Sequence, residues 1–424
     1  MRPEKTRQIA LVATLAVPLG LLHAFVGAEI CIALVDVLFL AESFRRRDFA
    51  WTRRVWFRLA IAWWLWLLFC STPLPWPGFG TDGWTGFVQA LVIVRLLLFA
   101  AALQNWVLTT GRARRAAWIM LALSCLWIGV ESWQQYLTGH NIFGNPRFFD
   151  GSLTGPFWKP RAGALYAHLL YIGLLPVAMA LIHRPGWRRF LGMALLVLGV
   201  ATSVLIGQRM GVALTGLGLV VAALYLRALR LPLLLALAAA CALLLATPLI
   251  SPATHGKLVG ETSENFHDFM QSPYGELYTV GVNMGLQSPW HGWGYRSFRV
   301  SCLAPRFNTG LPALGIPPTE ASRGACNLHP HNYYVQAFCE GGLPGLLLFA
   351  ALMGVWTWRA ARGLWRAPDP FRTGLFIAVL TYTWPIASTD EFPTLYMLGW
   401  FFFFIGLTLA SADAARPILE NKHG

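Results

Sequence analysis

Two imidazoles stand one residue apart in Asn327-Leu-His329-Pro-His331-Asn332, directly before a strongly apolar run from Val335 to Trp356. An ordinary imidazole titrates near pH ~6.5, so either ring can take a proton from a hydroxyl around neutrality. His331 is the better candidate general base, because Asn332 after it is a natural helix N-cap that would fix the ring at a helix start. His329 then supports it. A histidine that only caps the next helix is a second reading, and a His-x-His metal site is a third. No carboxylate or cysteine stands at a spacing that would complete such a site, so no metal is expected.

Cations outside the basic linkers are the second chemical feature. Arg209 follows Gly207 and Gln208 in a turn between two apolar runs, and Arg147, Lys159 and Arg161 are interleaved with Phe148, Phe149, Phe157 and Trp158. An unpaired charge beside the hydrocarbon is expensive, and guanidinium groups bind phosphate oxygens in bidentate fashion. These residues are therefore expected to clamp a lipid-linked phosphate or diphosphate, with snorkelling to lipid headgroups as the plainer reading. Glu340 lies more than two turns into its apolar run. It is expected to be structural, with Gly341 and Gly342: protonated, paired, or bonded to backbone freed near the glycines. Asp390 and Glu391 read as solvated loop charge.

The elements that must position these groups are membrane helices. With 56% hydrophobic residues, 12% charged and a mean hydropathy of +0.53 over 424 residues, the chain cannot be a water-soluble globule. It is expected to be an all-α polytopic membrane protein. Apolar stretches at roughly 9–25, 27–43, 55–71, 85–105, 116–137, 162–182, 190–206, 210–228, 232–251, 332–357, 371–389 and 394–412 give about twelve spans. Helices 1–9 occupy 1–251, an external loop subdomain with short helices occupies 252–330, and helices 10–12 with a C-terminal tail occupy 331–424. Within the loop, Leu277, Val280 and Met284 form one helical stripe, for contact with the membrane or for packing under the loop.

The formal charge of +14 does not point to nucleic acid, because its cations recur in short clusters in every second linker. Arg45-Arg46-Arg47, Arg112 with Arg114-Arg115, Arg184 with Arg188-Arg189, Arg227 with Arg230, and Arg359 with Arg362 follow the positive-inside pattern. With Arg2, Lys5 and Arg7 they place both termini in the cytoplasm and the chemical candidates on the opposite side. Cys302 and Cys326 share that external side and are disulfide candidates, whereas Cys31, Cys70, Cys125, Cys241 and Cys339 read as buried residues within spans. No phosphate-binding glycine loop or dinucleotide fingerprint is present, so no cofactor and no ATP are expected.

The order of three motifs resembles the bacterial O-antigen ligases and polymerases of the cell envelope. They are Gly207-Gln208-Arg209 at an external turn, Pro289-Trp-His-Gly-Trp-Gly-Tyr-Arg-Ser-Phe298 late in the long loop, and His329-Pro-His331-Asn332 leading to Glu340-Gly-Gly. The resemblance implies a metal- and ATP-independent glycosyl transfer at the periplasmic face of the inner membrane. O-antigen polysaccharide on undecaprenyl diphosphate would be the donor, and a sugar hydroxyl of the lipid A core the acceptor. By position His331 would be the base and Arg209 would hold the leaving diphosphate. Where such proteins often read Gly-Arg-Leu-x-x-Trp, this chain has Gly275-Glu276-Leu277; Arg296, Arg299 or an arginine of 139–161 would then supply the charge. A repeat-unit polymerase is the enzymatic alternative. A flippase or other transporter is the non-enzymatic one, and it would need inverted repeats and mid-membrane ionisable residues, neither of which is evident.

Overall fold

The computed structural model describes residues 3–267, 269–319 and 326–420; Arg2, used above for orientation, lies outside them. Ten helices make up the first part: α1 (Pro3–His23), α2 (Phe25–Arg46), α3 (Val55–Ser71), α4 (Gly83–Val92), α5 (Val94–Ala102), α6 (Gly111–Thr138), α7 (Ala162–Ile182), α8 (Trp187–Ile206), α9 (Arg209–Tyr225) and α10 (Arg230–Ile250). The connection that follows holds α11 (Pro252–His255), α12 (Glu261–His267), α13 (Pro273–Gln287) and α14 (Ser297–Ser301). The chain then forms α15 (Tyr333–Ala361), α16 (Pro370–Thr383) and α17 (Leu395–Glu420).

Each of the expected apolar stretches is largely helical, and among the described residues eight helices, against about twelve expected spans, are long and apolar enough to cross a membrane. The reasons are local. Helices α3 and α9 are apolar but have only 17 residues each. Helix α16 stops after 14 residues, and α2 carries Glu29, Asp36, Glu42, Arg45 and Arg46 along its length. The first break falls at Ala24, while Pro18 and Gly20 both lie inside α1. Gly20 instead allows the α1–α2 hairpin to close, since a Cβ there would lie 2.7 Å from the Ala28 nitrogen.

The most buried helix is α17, whose Trp400, Phe401, Phe402, Phe403 and Phe404 are all enclosed. Its Asp413 accepts from Gln104 (2.8 Å) and pairs with Arg54 (3.3 Å) and Arg359. Arg7 reaches Thr109 close by, and Arg54 reaches Asn105. The start of α1, the end of α17 and the basic linkers therefore meet at one end of the bundle. Charge is not confined to the ends, however. Arg95 pairs with Glu29 at 2.5 Å, and Asp36 is buried, so the expectation that ionisable side chains avoid the middle of the helices is corrected. The cysteine reading is corrected too: Cys241 is exposed on α10 and Cys31 is half-buried, both on faces that lipid would cover.

At the other end, Leu277, Val280 and Met284 of α13 pack with Trp293, Phe298, Phe307 and Cys339. The stripe is packing under the loop and not a membrane contact. Cys302 is joined to Cys326 across 5.2 Å between Cα atoms. The loop is keyed into α15, which breaks at Gly342 (φ 63°, ψ −164°). Leu343 N–H donates to the Pro289 carbonyl (2.7 Å), Trp293 N–H to that of Cys339 (2.9 Å) and Gly294 N–H to that of Glu340 (3.0 Å).

Gly292 (φ +64°) lies against this break, and a Cβ there would meet the Glu340 carbonyl carbon at 2.4 Å and the Gly341 nitrogen at 2.5 Å. Gly292→Ala combines a left-handed backbone with a backbone clash. It is expected to destabilise the protein by more than about 2 kcal/mol, read as a lowered midpoint of thermal unfolding in detergent.

Candidate functional site

The helix cap expected of Asn332 is present in atomic detail. Asn332 caps α15: its Oδ1 accepts from the N–H groups of Tyr334 (2.9 Å) and Val335 (3.1 Å), and its amide donates to the Pro385 carbonyl (2.6 Å). His331 sits just before it in a left-handed conformation (φ 54°), a strain that costs of order 1–3 kcal/mol and is commonly kept at functional sites. One acceptor, the Thr389 carbonyl, receives His331 Nδ1 at 2.9 Å and His329 Nε2 at 3.2 Å.

These bonds settle the tautomer of His331. A carbonyl only accepts, so Nδ1 carries the proton and Nε2 holds the lone pair. The Asn327 Oδ1 is held by the Leu328 N–H (2.7 Å), which turns the Asn327 amide NH2 toward that lone pair at 3.1 Å. Burial lowers the His331 pKa below the ordinary imidazole value, against smaller opposing effects of the Thr389 carbonyl and Asp390. His331 is therefore neutral at pH 7, as a base must be. Burial, with the neighbouring His331, lowers His329 further, to about 3, and its Nδ1 is buried without a partner.

His331 opens into a cavity of about 330 Å³ that Lys159, Arg161, His168, Tyr333, Tyr382 and Asp390 also line. Two cations and a neutral base thus share one space, brought there by the 139–161 loop, the start of α15 and the 384–394 connection. The Arg161 guanidinium lies 3.2 Å over the Tyr396 ring and the Lys159 ammonium 4.5 Å over Trp158.

The remaining candidates lie around this cavity and not in its lining. Arg209 opens α9 and pairs with Glu261 at 3.4 Å, so its reading as an unpaired cation is corrected. Gln208 Oε1 accepts from the Ala164 N–H (3.2 Å) and ties the α8–α9 turn to the start of α7. Arg147 donates to Ser251 Oγ (3.1 Å) and lies over Tyr136. Arg296 pairs with Asp82 (3.0 Å), while its N–H donates to Glu340 Oε1 (2.9 Å). Gln336 donates to the same carboxyl oxygen at 3.1 Å, so Glu340 joins loop and helix, and its backbone partner is the Arg296 N–H rather than a cation or the peptide groups freed near Gly341 and Gly342. Glu391 is not solvated: it is buried and pairs with Arg299 at 2.7 Å. Among the described residues no group of His, Cys, Asp and Glu is arranged to hold a metal ion.

Residues 194–350 match the family described as O-Antigen ligase. The match supports membership of the O-antigen ligase/polymerase superfamily. No curated protein matches it. The matched segment holds the Gly207–Arg209 turn, the 289–298 motif, both histidines and the glycine break. Lys159 and Arg161 fall before it, so the cations of the cavity come from outside the matched segment. His168 was absent from the sequence reading. It sits inside a continuous apolar run, where only its being a polar residue two turns below Arg161 could have drawn notice.

Asn332→Ala removes the α15 cap together with the bond to Pro385. A loss of about 1–2 kcal/mol of stability is expected, whereas Asn332→Asp, which keeps the cap acceptor, should recover most of it; thermal unfolding of the purified variants measures both.

Proposed function

We propose that this protein is a glycosyltransferase that moves O-antigen polysaccharide from undecaprenyl diphosphate to a sugar hydroxyl of the lipid A core, at the periplasmic face of the bacterial inner membrane. The observation that carries the reading is the single cavity shared by a neutral, tautomer-fixed His331 and the cations Lys159 and Arg161. Members of the superfamily are membrane glycosyltransferase-like enzymes, which agrees with it.

In this reading the acceptor hydroxyl displaces the Asn327 amide and hydrogen-bonds to His331 Nε2. As the hydroxyl oxygen attacks the anomeric carbon of the donor sugar, its proton passes to Nε2 and the bond from that carbon to the diphosphate oxygen breaks. Charge then grows on the leaving diphosphate, and Lys159 and Arg161 stabilise it where it develops. Asp390, in the same cavity, stabilises the imidazolium until the proton is lost to water or to the released diphosphate. The diphosphate is already an activated leaving group, so neither ATP nor a metal enters the scheme. Arg209 and Arg147, with Gln208 between the loops, would extend the contact to the rest of the lipid-linked donor, Arg209 by exchanging Glu261 for phosphate oxygens. Arg296 serves by holding the loop, since its guanidinium is already paired with Asp82.

Purified protein supplied with lipid-linked O-antigen and lipid A core, without metal or ATP, is expected to produce capped lipopolysaccharide. Elongation of the donor chain without transfer to the core would identify a polymerase instead. His331→Ala should lower transfer by about 10²–10⁴-fold while leaving the protein folded in the membrane, and retained wild-type transfer would remove His331 as the base. Because burial lowers the His331 pKa, wild-type activity should hold as pH falls through 6.5 and decline only below it; an acid limb centred at or above pH 6.5 would contradict this assignment. Arg161→Ala should weaken donor binding.

A further inference from the structure

Arg161, Ala164 and His168 recur at i, i+3 and i+7 along one face at the start of α7, and all three line the cavity. His168 thus lies about 10 Å deeper along the helix axis than Arg161. The cavity reaches well into the bundle and ends on a polar group.

The His168 ring is held on two sides. Its Nδ1 is 2.8 Å from Thr381 Oγ1, and that hydroxyl uses its own proton toward the carbonyls of Ile377 (2.9 Å) and Ala378 (3.0 Å). Thr381 Oγ1 must therefore accept from Nδ1–H, which leaves the lone pair on Nε2. The ring stacks on Tyr382 with centroids 3.6 Å apart and planes at 19°, and the Tyr382 hydroxyl is in turn anchored on the Met397 carbonyl at 3.0 Å. Among the described residues no group bonds Nε2. Nε2 is not among the buried polar atoms left without a partner, so it opens on the cavity, and a donor for it has to come from what the cavity holds.

The chemistry of the floor selects what that donor belongs to. A lone pair repels a phosphate oxygen, and a polyisoprenoid chain would leave Nε2 unpaired. A sugar ring presents hydroxyl donors at its edge and C–H faces to the aromatic and apolar walls, here Tyr333, Tyr382, Leu214 and Met397. We propose that the cavity floor is a sugar subsite, in which His168 Nε2 accepts a hydrogen bond from a ring hydroxyl of the saccharide next to the donor diphosphate. This assignment rests on the lipid-linked donor reading above.

Binding of two probes to the purified full chain separates the two ideas: undecaprenyl diphosphate alone, and the same lipid diphosphate carrying one N-acetylhexosamine. The wild type should bind both. His168→Phe keeps a flat ring on Tyr382 but has no acceptor, and is expected to lose about tenfold in affinity for the sugar-bearing lipid with no change for the bare one. Arg161→Ala should weaken both. His168→Gln, which can place an amide oxygen near the Nε2 position, should recover part of the loss. Thr381→Val removes the group that fixes the tautomer and should cost the same sugar-specific increment, a check that holds even if His168→Phe does not fold. Equal losses for the two probes, or none for the sugar-bearing one, would overturn the subsite. Failure of the wild type to bind either probe would overturn the donor reading, and the subsite with it.

Discussion

Everything at the loop end of this molecule depends on one backbone interruption, the break of α15 at Gly342. A helix that stops and restarts inside an apolar bundle frees peptide groups that the membrane cannot satisfy. Here the 289–294 segment satisfies them, pairing with Cys339, Glu340 and Leu343, and Trp66 donates to the Gly341 carbonyl at 2.8 Å. A Cβ at Gly342 would lie 2.6 Å from the Pro289 carbonyl oxygen, so the approach requires its absence. The half-helix before the break is then fixed against the 384–394 connection, because Gln336 donates to the Phe392 carbonyl (2.7 Å) and accepts from its N–H (2.9 Å). His331 and Thr389, which face each other across that connection, take their geometry from this docking.

Charge is distributed by the same logic. Four cations at the loop end are spent on acids: Arg296 on Asp82, Arg299 on Glu391, Arg209 on Glu261 and Lys257 on Asp150. Each pair joins segments that no helix connects, so removing either partner would leave an uncompensated charge and loosen the loops. Lys159 and Arg161 differ, since among the described residues neither forms an ion pair and both lie over aromatic rings. A ring holds a cation in place without neutralising it. These two are accordingly the groups at the cavity whose positive charge is still available to an anion.

How much of this was legible in the sequence follows from whether the decisive partners are close along the chain. Helices, the Asn332 cap and the 277–280–284 stripe are local patterns, and all three are present in the structure. Cys302 and Cys326 also stand close enough in sequence to be read as a pair. Asp82 with Arg296 and Glu391 with Arg299 are distant in sequence and of ordinary composition, so Glu391 looked like solvated charge until the fold enclosed it. The number of spans is harder to read: hydropathy averages over a window, whereas α3, α9 and α16 end early at caps and turns, and α2 carries charges that the bundle pairs or encloses. His168 was hidden for the opposite reason, one polar residue in a run whose average is strongly apolar.

The contact between Asn327 and His331 gives the site an inexpensive way to protect its base. The Nε2 lone pair is already hydrogen-bonded, so an incoming hydroxyl exchanges one bond for another and desolvates no bare acceptor, an exchange close to neutral in free energy. The Thr389 bond to Nδ1 is on the far side of the ring and need not change as this happens, which keeps the tautomer fixed through the proton transfer. Asn327 is exposed and adjoins Cys326, whose link to Cys302 anchors the segment to the loop core. The amide is thereby held near the base while remaining on the solvent side, where it can yield to a substrate hydroxyl without disturbing the groups that orient His331.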